Sequence, residues 1–166
     1  MKLEKVTSPI KNEMLSFRKL LKKSISSNNI LIDEVINYIL KRKGKQIRPV
    51  IVFLSSGICG KINDSTLRAA VLIEILHTAT LIHDDVVDES NYRRGYFSIN
   101  AIWKNKYSVL IGDYLLSSGL TFSLENDDFK FLKVLSNSVK EMSEGEIIQM
   151  KKSKSLDLDE ELYFKI

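Results

Sequence analysis

Residues 66–89 constrain this chain more than any other stretch. They are apolar nearly all round and close on Asp84, Asp85 and Asp88. A helix without a polar face has to be wrapped, by neighbouring helices or by lipid. No apolar run approaches the roughly 18 residues that span a bilayer, so the reading is a central helix wrapped by protein. At 3.6 residues per turn, Asp84 and Asp88 fall on one face. Like charges at that spacing oppose the helix; two of them about 4 Å apart repel by roughly 4 kcal/mol at an effective dielectric near 20. A divalent cation turns that repulsion into attraction. Hard ions such as Mg²⁺ take carboxylate oxygens and share their shell with substrate phosphates. A solvated acidic helix end is the plainer alternative.

Basic residues stand on either side of this helix. Arg93 and Arg94 follow the aspartates, just ahead of a chain turn at Gly95. Arginine offers a planar fork of donors that matches phosphate oxygens. The competing reading is a set of surface ion pairs with the aspartates, worth about 0–1 kcal/mol when exposed. Upstream, Lys45 and Arg48 lie between Gly44 and Pro49. Gly44 breaks one helix and Pro49 suits the first turn of the next. A loop at a helix N-terminus presents free amide donors and partial positive charge, which favour phosphate. It is not a Walker loop, because the glycine-rich run and the Lys-Ser/Thr pair are missing. A basic patch for nucleic acid or a membrane surface would carry the same charges.

Several of these segments together resemble one family. Gly44-Lys45-Gln46-Ile47-Arg48-Pro49 is similar to the G-K-x-x-R-P signature of trans-type isoprenyl diphosphate synthases, the polyprenyl synthetase family. His77-Thr78-Ala79-Thr80-Leu81-Ile82-His83-Asp84-Asp85-Val86-Val87-Asp88 looks like that family's first aspartate-rich motif, and Arg93-Arg94-Gly95 follows at its usual spacing. Gly112-Asp113-Tyr114-Leu115-Leu116 and Met142-Ser143-Glu144-Gly145-Glu146 also resemble family segments. The likeness runs in order from Gly44 to the chain end, and the long-chain branch, hexaprenyl to decaprenyl in type, fits best.

Composition agrees with the fold this implies. The 166 residues are 44% hydrophobic with only seven Gly and two Pro, which suits helices better than a turn-rich β protein. The pattern predicts helices over residues 10–27, 30–41, 49–59, 66–89 and 109–124, and one over 129–151 interrupted at Gly145. Asp64 or Ser65 is expected to cap the central helix. Cys59, the single cysteine, lies in an apolar stretch and reads as a small buried hydrophobe. The N-terminus is charged and lacks an apolar signal core, so the expected location is the cytoplasm. Through Arg48 there are twelve Lys or Arg against four Asp or Glu. Few aromatics interleave with those bases, so nucleic-acid stacking has no platform. Small anions, or a membrane contacted through a lipid product, are the expected partners.

The resemblance implies an all-α, isoprenoid-synthase-type helical bundle, with residues 1–166 as the N-terminal part of a single polyprenyl synthase domain. It implies a Mg²⁺-dependent prenyltransferase, usually a homodimer, that condenses isopentenyl diphosphate with an allylic diphosphate. Asp84, Asp85 and Asp88 would hold Mg²⁺ and Arg93 the allylic diphosphate. Lys45, Arg48, His77 and Arg94 would hold isopentenyl diphosphate. His77 lies seven residues before Asp84, about 10.5 Å along a helix, off the metals. Ala79 and Thr80, small residues deeper along the helix, would set product length by leaving room for a long tail. The family's second aspartate-rich motif does not occur in these 166 residues, so the chain alone is expected not to complete the metal cluster or to catalyse prenyl transfer. Two alternatives stay open: a non-catalytic partner subunit of a prenyl synthase, and a His-Asp metal phosphohydrolase built on His77 and His83-Asp84.

Overall fold

The chain's computed structural model describes residues 3–42, 44–93, 95–153, 160 and 164. Its contacts divide it into one unit over Met1–Asp127 and another over Asp128–Ile166. The first unit is built around α5 (Asp64–Val87), which packs against α2 (Lys11–Ile25), α4 (Ile47–Cys59) and α6 (Ile99–Glu125). Ala70, Val71, Leu72, Ile75, Leu76, Ala79 and Ile82 of α5 are all buried, as an all-round apolar helix requires. By length and composition α5 would also pass for a membrane span, a point the sequence reading did not expect. Here its partners are protein.

The remaining helices bury single stripes. On α2 the buried residues are Met14, Phe17, Leu21 and Ile25, spaced three or four apart as one helix face demands. Phe17 meets Phe53 of α4 edge-to-face at 6.4 Å, the arrangement the ring quadrupoles favour. A short α1 (Leu3–Thr7) and a 3₁₀ turn over Ser8–Ile10 precede α2. Helix α3 (Ile30–Lys41) starts where the Asn29 side chain accepts from the amides of Leu31 and Ile32. Helix α5 is capped by Asn63, not by Asp64 or Ser65. The Asn63 carboxamide accepts from the Thr66 amide at 2.9 Å, and the Asn63 amide donates back to the Thr66 hydroxyl. Both groups reach donors that the first turn leaves free.

Two glycines set the approach of α6 to α5. A Cβ on Gly112 would fall inside the ring of His83, and one on Gly119 would press on Ile75 and Leu72. Helix α6 begins ten residues earlier than the apolar pattern suggested and carries a kink at Lys104, whose φ of 70° and ψ of 158° are not helical. Between α5 and α6 a two-stranded hairpin pairs β1 (Tyr92–Arg93) with β2 (Tyr96–Phe97), turning through Gly95 at φ 82°. In the second unit, α7 (Phe129–Ser153) runs unbroken through Gly145, so the predicted interruption there is absent; a mid-helix glycine costs only about 1 kcal/mol. Cys59 is exposed, which corrects its expected burial. It ends α4 just before Gly60, where the helix has turned that position away from the core.

Candidate functional site

A cleft of about 790 Å³ opens in the first unit, walled by α3, the loop after it, α5 and the hairpin. It gathers Lys45, Arg48, His77, Asp85 and Arg93 around one space. These are five of the residues singled out in the sequence.

The loop brings two of them. Helix α3 ends at Lys41, and Arg42 closes it with its amide donating to the Ile39 carbonyl at 3.2 Å. Gln46 then adopts φ 49° and ψ 44°, and α4 begins at Ile47. The Gln46 carboxamide accepts from Nε of Arg18 on α2 at 2.9 Å, which ties this unusual residue to the bundle. Pro49 falls in the first turn of α4 and is buried, where its missing amide donor costs nothing. Lys45 and Arg48 are left exposed on the cleft side of a helix start.

Helix α5 contributes Glu74, His77, Thr78, Leu81, Ile82 and Asp85 to the lining. Asp85 is 4% exposed, and its carboxylate accepts from Arg93 Nε at 2.7 Å. Burial in low dielectric strengthens such a pair, and it engages Nε, leaving the terminal nitrogens of the Arg93 fork for an anion. Beneath it, Asn100 Nδ2 donates to the Asp85 carbonyl at 3.2 Å, while Asn100 Oδ1 is buried with no partner among the described residues. The hairpin base is closed by Ser98, whose hydroxyl donates to the Ser90 carbonyl at 2.6 Å and whose amide donates to Asn91 at 3.0 Å. Arg94 lies outside the described residues.

Asp84 and Asp88 stand beside the cleft, not in its lining. Asp84 is half-buried and Asp88 exposed. They are one turn apart, and Asp88 is already past the helix end, with φ −82° and ψ 0°. Ala79 is 2% exposed, in the core. Thr80 is half-buried, its hydroxyl donating to the His77 carbonyl at 3.0 Å. Neither belongs to the cleft lining. His83 turns the other way: its Nε2 lies 3.3 Å from the Val109 carbonyl and 3.4 Å from Asp113. His77 and His83 therefore face different elements and share no site. That geometry disfavours the phosphohydrolase alternative.

Among the described residues no three His, Cys, Asp or Glu side chains converge to hold an ion. The donor set still fits Mg²⁺ in one specific way. This ion commonly takes one or two carboxylates from protein and completes its octahedron with water and substrate phosphates. Asp84 and Asp88, one turn apart, are such a pair, and Asp85 beside them is held by Arg93. The site would then take the ion together with a phosphate ligand.

Sequence reasoning missed Tyr38, Arg42 and Asn100. Tyr38 and Arg42 line the cleft from α3 and its cap. A lysine- and arginine-rich run gives no signal as to which cation is stacked and which is free. Asn100 sits at the start of a helix whose N-terminal turns the apolar pattern did not reveal.

Residues 29–166 match the family model described as polyprenyl synthetase. The chain is 36% identical over 166 residues to the octaprenyl diphosphate synthase of Escherichia coli (strain K12), covering 100% of this chain and 51% of that protein. The crystal structure of a decaprenyl diphosphate synthase from Rhodobacter capsulatus superposes with a TM-score of 0.91 at 30% identity, over 99% of this chain and 51% of that one. A polyprenyl synthase from Caulobacter crescentus CB15, complexed with calcium and isoprenyl diphosphate, gives a TM-score of 0.90 at 29% identity, over 99% and 50% respectively. The chain spans about half the length of the curated relatives it matches.

Proposed function

The chain belongs to the polyprenyl synthetase family, and from that premise we propose that it carries the diphosphate-binding cleft of a long-chain trans-polyprenyl diphosphate synthase. The observation that carries this reading is the gathering of Lys45, Arg48, His77 and Arg93 around one cleft. Cations and a half-buried imidazole in that number suit two diphosphates better than one neutral substrate.

Lys45 and Arg48 hold isopentenyl diphosphate at the start of α4, where the free amides of the helix add donors, and His77 donates from α5. Arg93, oriented by Asp85, offers its terminal nitrogens to the allylic diphosphate. Arg94 joins the isopentenyl group's partners by resemblance. Mg²⁺ held by Asp84 and Asp88, with diphosphate oxygens completing its shell, would neutralise charge on the departing pyrophosphate. The chain's own part is positioning: no nucleophilic side chain is needed when the double bond of one substrate lies against the allylic carbon of the other. Leu21, Ile39, Leu81 and Ile82 line the cleft and exclude water from the allylic cation. On this reading the small side chains of Ala79 and Thr80 leave room for a long polyprenyl tail. On the same reading the protein is cytoplasmic and homodimeric, and meets the membrane through its lipid product.

The test is a chimera. Residues 1–166 replace the matching half of the Escherichia coli octaprenyl diphosphate synthase, and the product is resolved by chromatography with labelled isopentenyl diphosphate, farnesyl diphosphate and Mg²⁺. Elongation to a long polyprenyl chain is expected, with Thr80→Phe shortening it. The 166-residue chain alone should elongate nothing. A folded chimera without elongation would overturn the proposal.

A further inference from the structure

Arg42 joins two segments that the sequence left separate. It caps α3, two residues before the loop of Lys45 and Arg48. Its guanidinium carbon lies 3.2 Å from the ring centroid of Tyr38 and 4.5 Å from that of Tyr96 in the hairpin. Its Nη1 donates to the Phe97 carbonyl at 2.7 Å, and the Tyr38 hydroxyl donates to the same oxygen at 2.7 Å. Both lone pairs of that carbonyl are thereby used. Tyr38 is in turn braced edge-on by Trp103 of α6 at 5.0 Å. Among the described residues no carboxylate pairs with Arg42, so its charge is balanced by ring faces and a carbonyl.

The hairpin has few other ties. Its two strands are two residues long, and an isolated hairpin of that size does not hold itself together in water. Phe97 pairs with Tyr92, and Tyr96 with Arg93, so fixing β2 fixes the backbone that carries Arg93. Arg93 then reaches Asp85 on α5. The path from the end of α3 to the acidic helix end thus runs through Arg42, with the Tyr38 hydroxyl beside it on the same carbonyl.

We propose that Arg42 is a positioning residue of the diphosphate cleft: stacked on Tyr38 and Tyr96 and bonded to Phe97, it holds the hairpin so that Arg93 faces the loop of Lys45 and Arg48 before ligand arrives. This rests on the diphosphate reading above. Preassembly of the two cationic segments lowers the ordering cost of binding. The role requires a planar guanidinium, because stacking and an in-plane donor are used together.

Inorganic pyrophosphate with Mg²⁺, titrated calorimetrically into the full chain, tests it. Arg42→Lys keeps the charge and loses the planar stack; affinity should fall about two- to thirtyfold, the range a lost cation–π contact spans. Tyr96→Ala should do the same, and Tyr96→Phe, which keeps the ring, should restore affinity. Tyr96 is 53% exposed, so neither change threatens folding. In an Arg93→Gln background, Arg42→Lys should cost nothing further, because the two act through one path. Wild-type affinity in Arg42→Lys, or a loss that adds in full to that of Arg93→Gln, would overturn the inference and leave the diphosphate reading standing. A wild-type chain that takes up no pyrophosphate would overturn the diphosphate reading, and this inference with it.

Discussion

Gly112 shows how one residue sets the distance between two helices. Its missing Cβ is the space occupied by the His83 ring, whose Nε2 lies against the Val109 carbonyl and Asp113. Gly112→Ala should push the ring out and separate α6 from α5 locally, at a cost of about 1–3 kcal/mol. Thermal denaturation followed by circular dichroism reads that loss directly. Lys104 predicts the opposite sign. Its φ of 70° and ψ of 158° belong to a region that is nearly glycine's alone, where another residue stores about 1–3 kcal/mol. Glycine brings its own entropy cost of about 0.5–1 kcal/mol, so Lys104→Gly should stabilise the fold by about 1 kcal/mol in the same assay. A destabilised Lys104→Gly variant would show that the kink is not strained. Asp85 illustrates what sequence spacing leaves undecided. The three aspartates were visible as a group, but which one meets Arg93 depends on the rotation of a helix that is apolar on every side. Such a helix has no polar face to orient it, so the acidic pair at i and i+4 marked one flank while the cleft opened on the next.

At the scale of elements, local signals were read well where they have local causes. Helix α3 begins and ends where its pattern and the Asn29 cap put it. The turn at Gly95 was legible because its φ of 82° suits glycine. The cap of α5 was off by one residue, since Asn63, Asp64 and Ser65 are all good caps and only the reciprocal bond with Thr66 selects among them. Asn63→Ala should therefore cost about 1 kcal/mol, whereas Asp64→Ala should cost less; urea denaturation of the two variants compares them. The link from Arg42 to the hairpin could not be read in advance. It joins residues 55 apart in sequence, and neither a cation–π contact nor a shared carbonyl leaves a periodic trace.

Across the whole molecule, family and fold were legible because several short motifs occur in the right order over most of the chain. Chemistry is less completely written in it. The cleft gathers cations with two carboxylates, Glu74 and the Arg93-paired Asp85, while Asp84 and Asp88 would offer a metal only part of its shell. Leu110, Leu116, Leu120 and Leu124 of α6 are each at least 38% exposed, an apolar stripe of the kind that monomers seldom leave uncovered. The isolated chain is therefore expected to self-associate, with sedimentation velocity showing dimers or larger species. Leu116→Lys with Leu120→Lys should return it to a monomer without loss of helicity.

The central claim is that Lys45, Arg48, His77 and Arg93 form one diphosphate cleft. Calorimetric titration of isopentenyl diphosphate into the wild-type chain and a Lys45→Ala, Arg48→Ala variant tests it most directly. Saturable binding is predicted for the wild type, weakened at least tenfold (about 1.4 kcal/mol) in the variant, with both retaining the same melting temperature within about 2 °C. Equal binding by the two proteins would contradict the account.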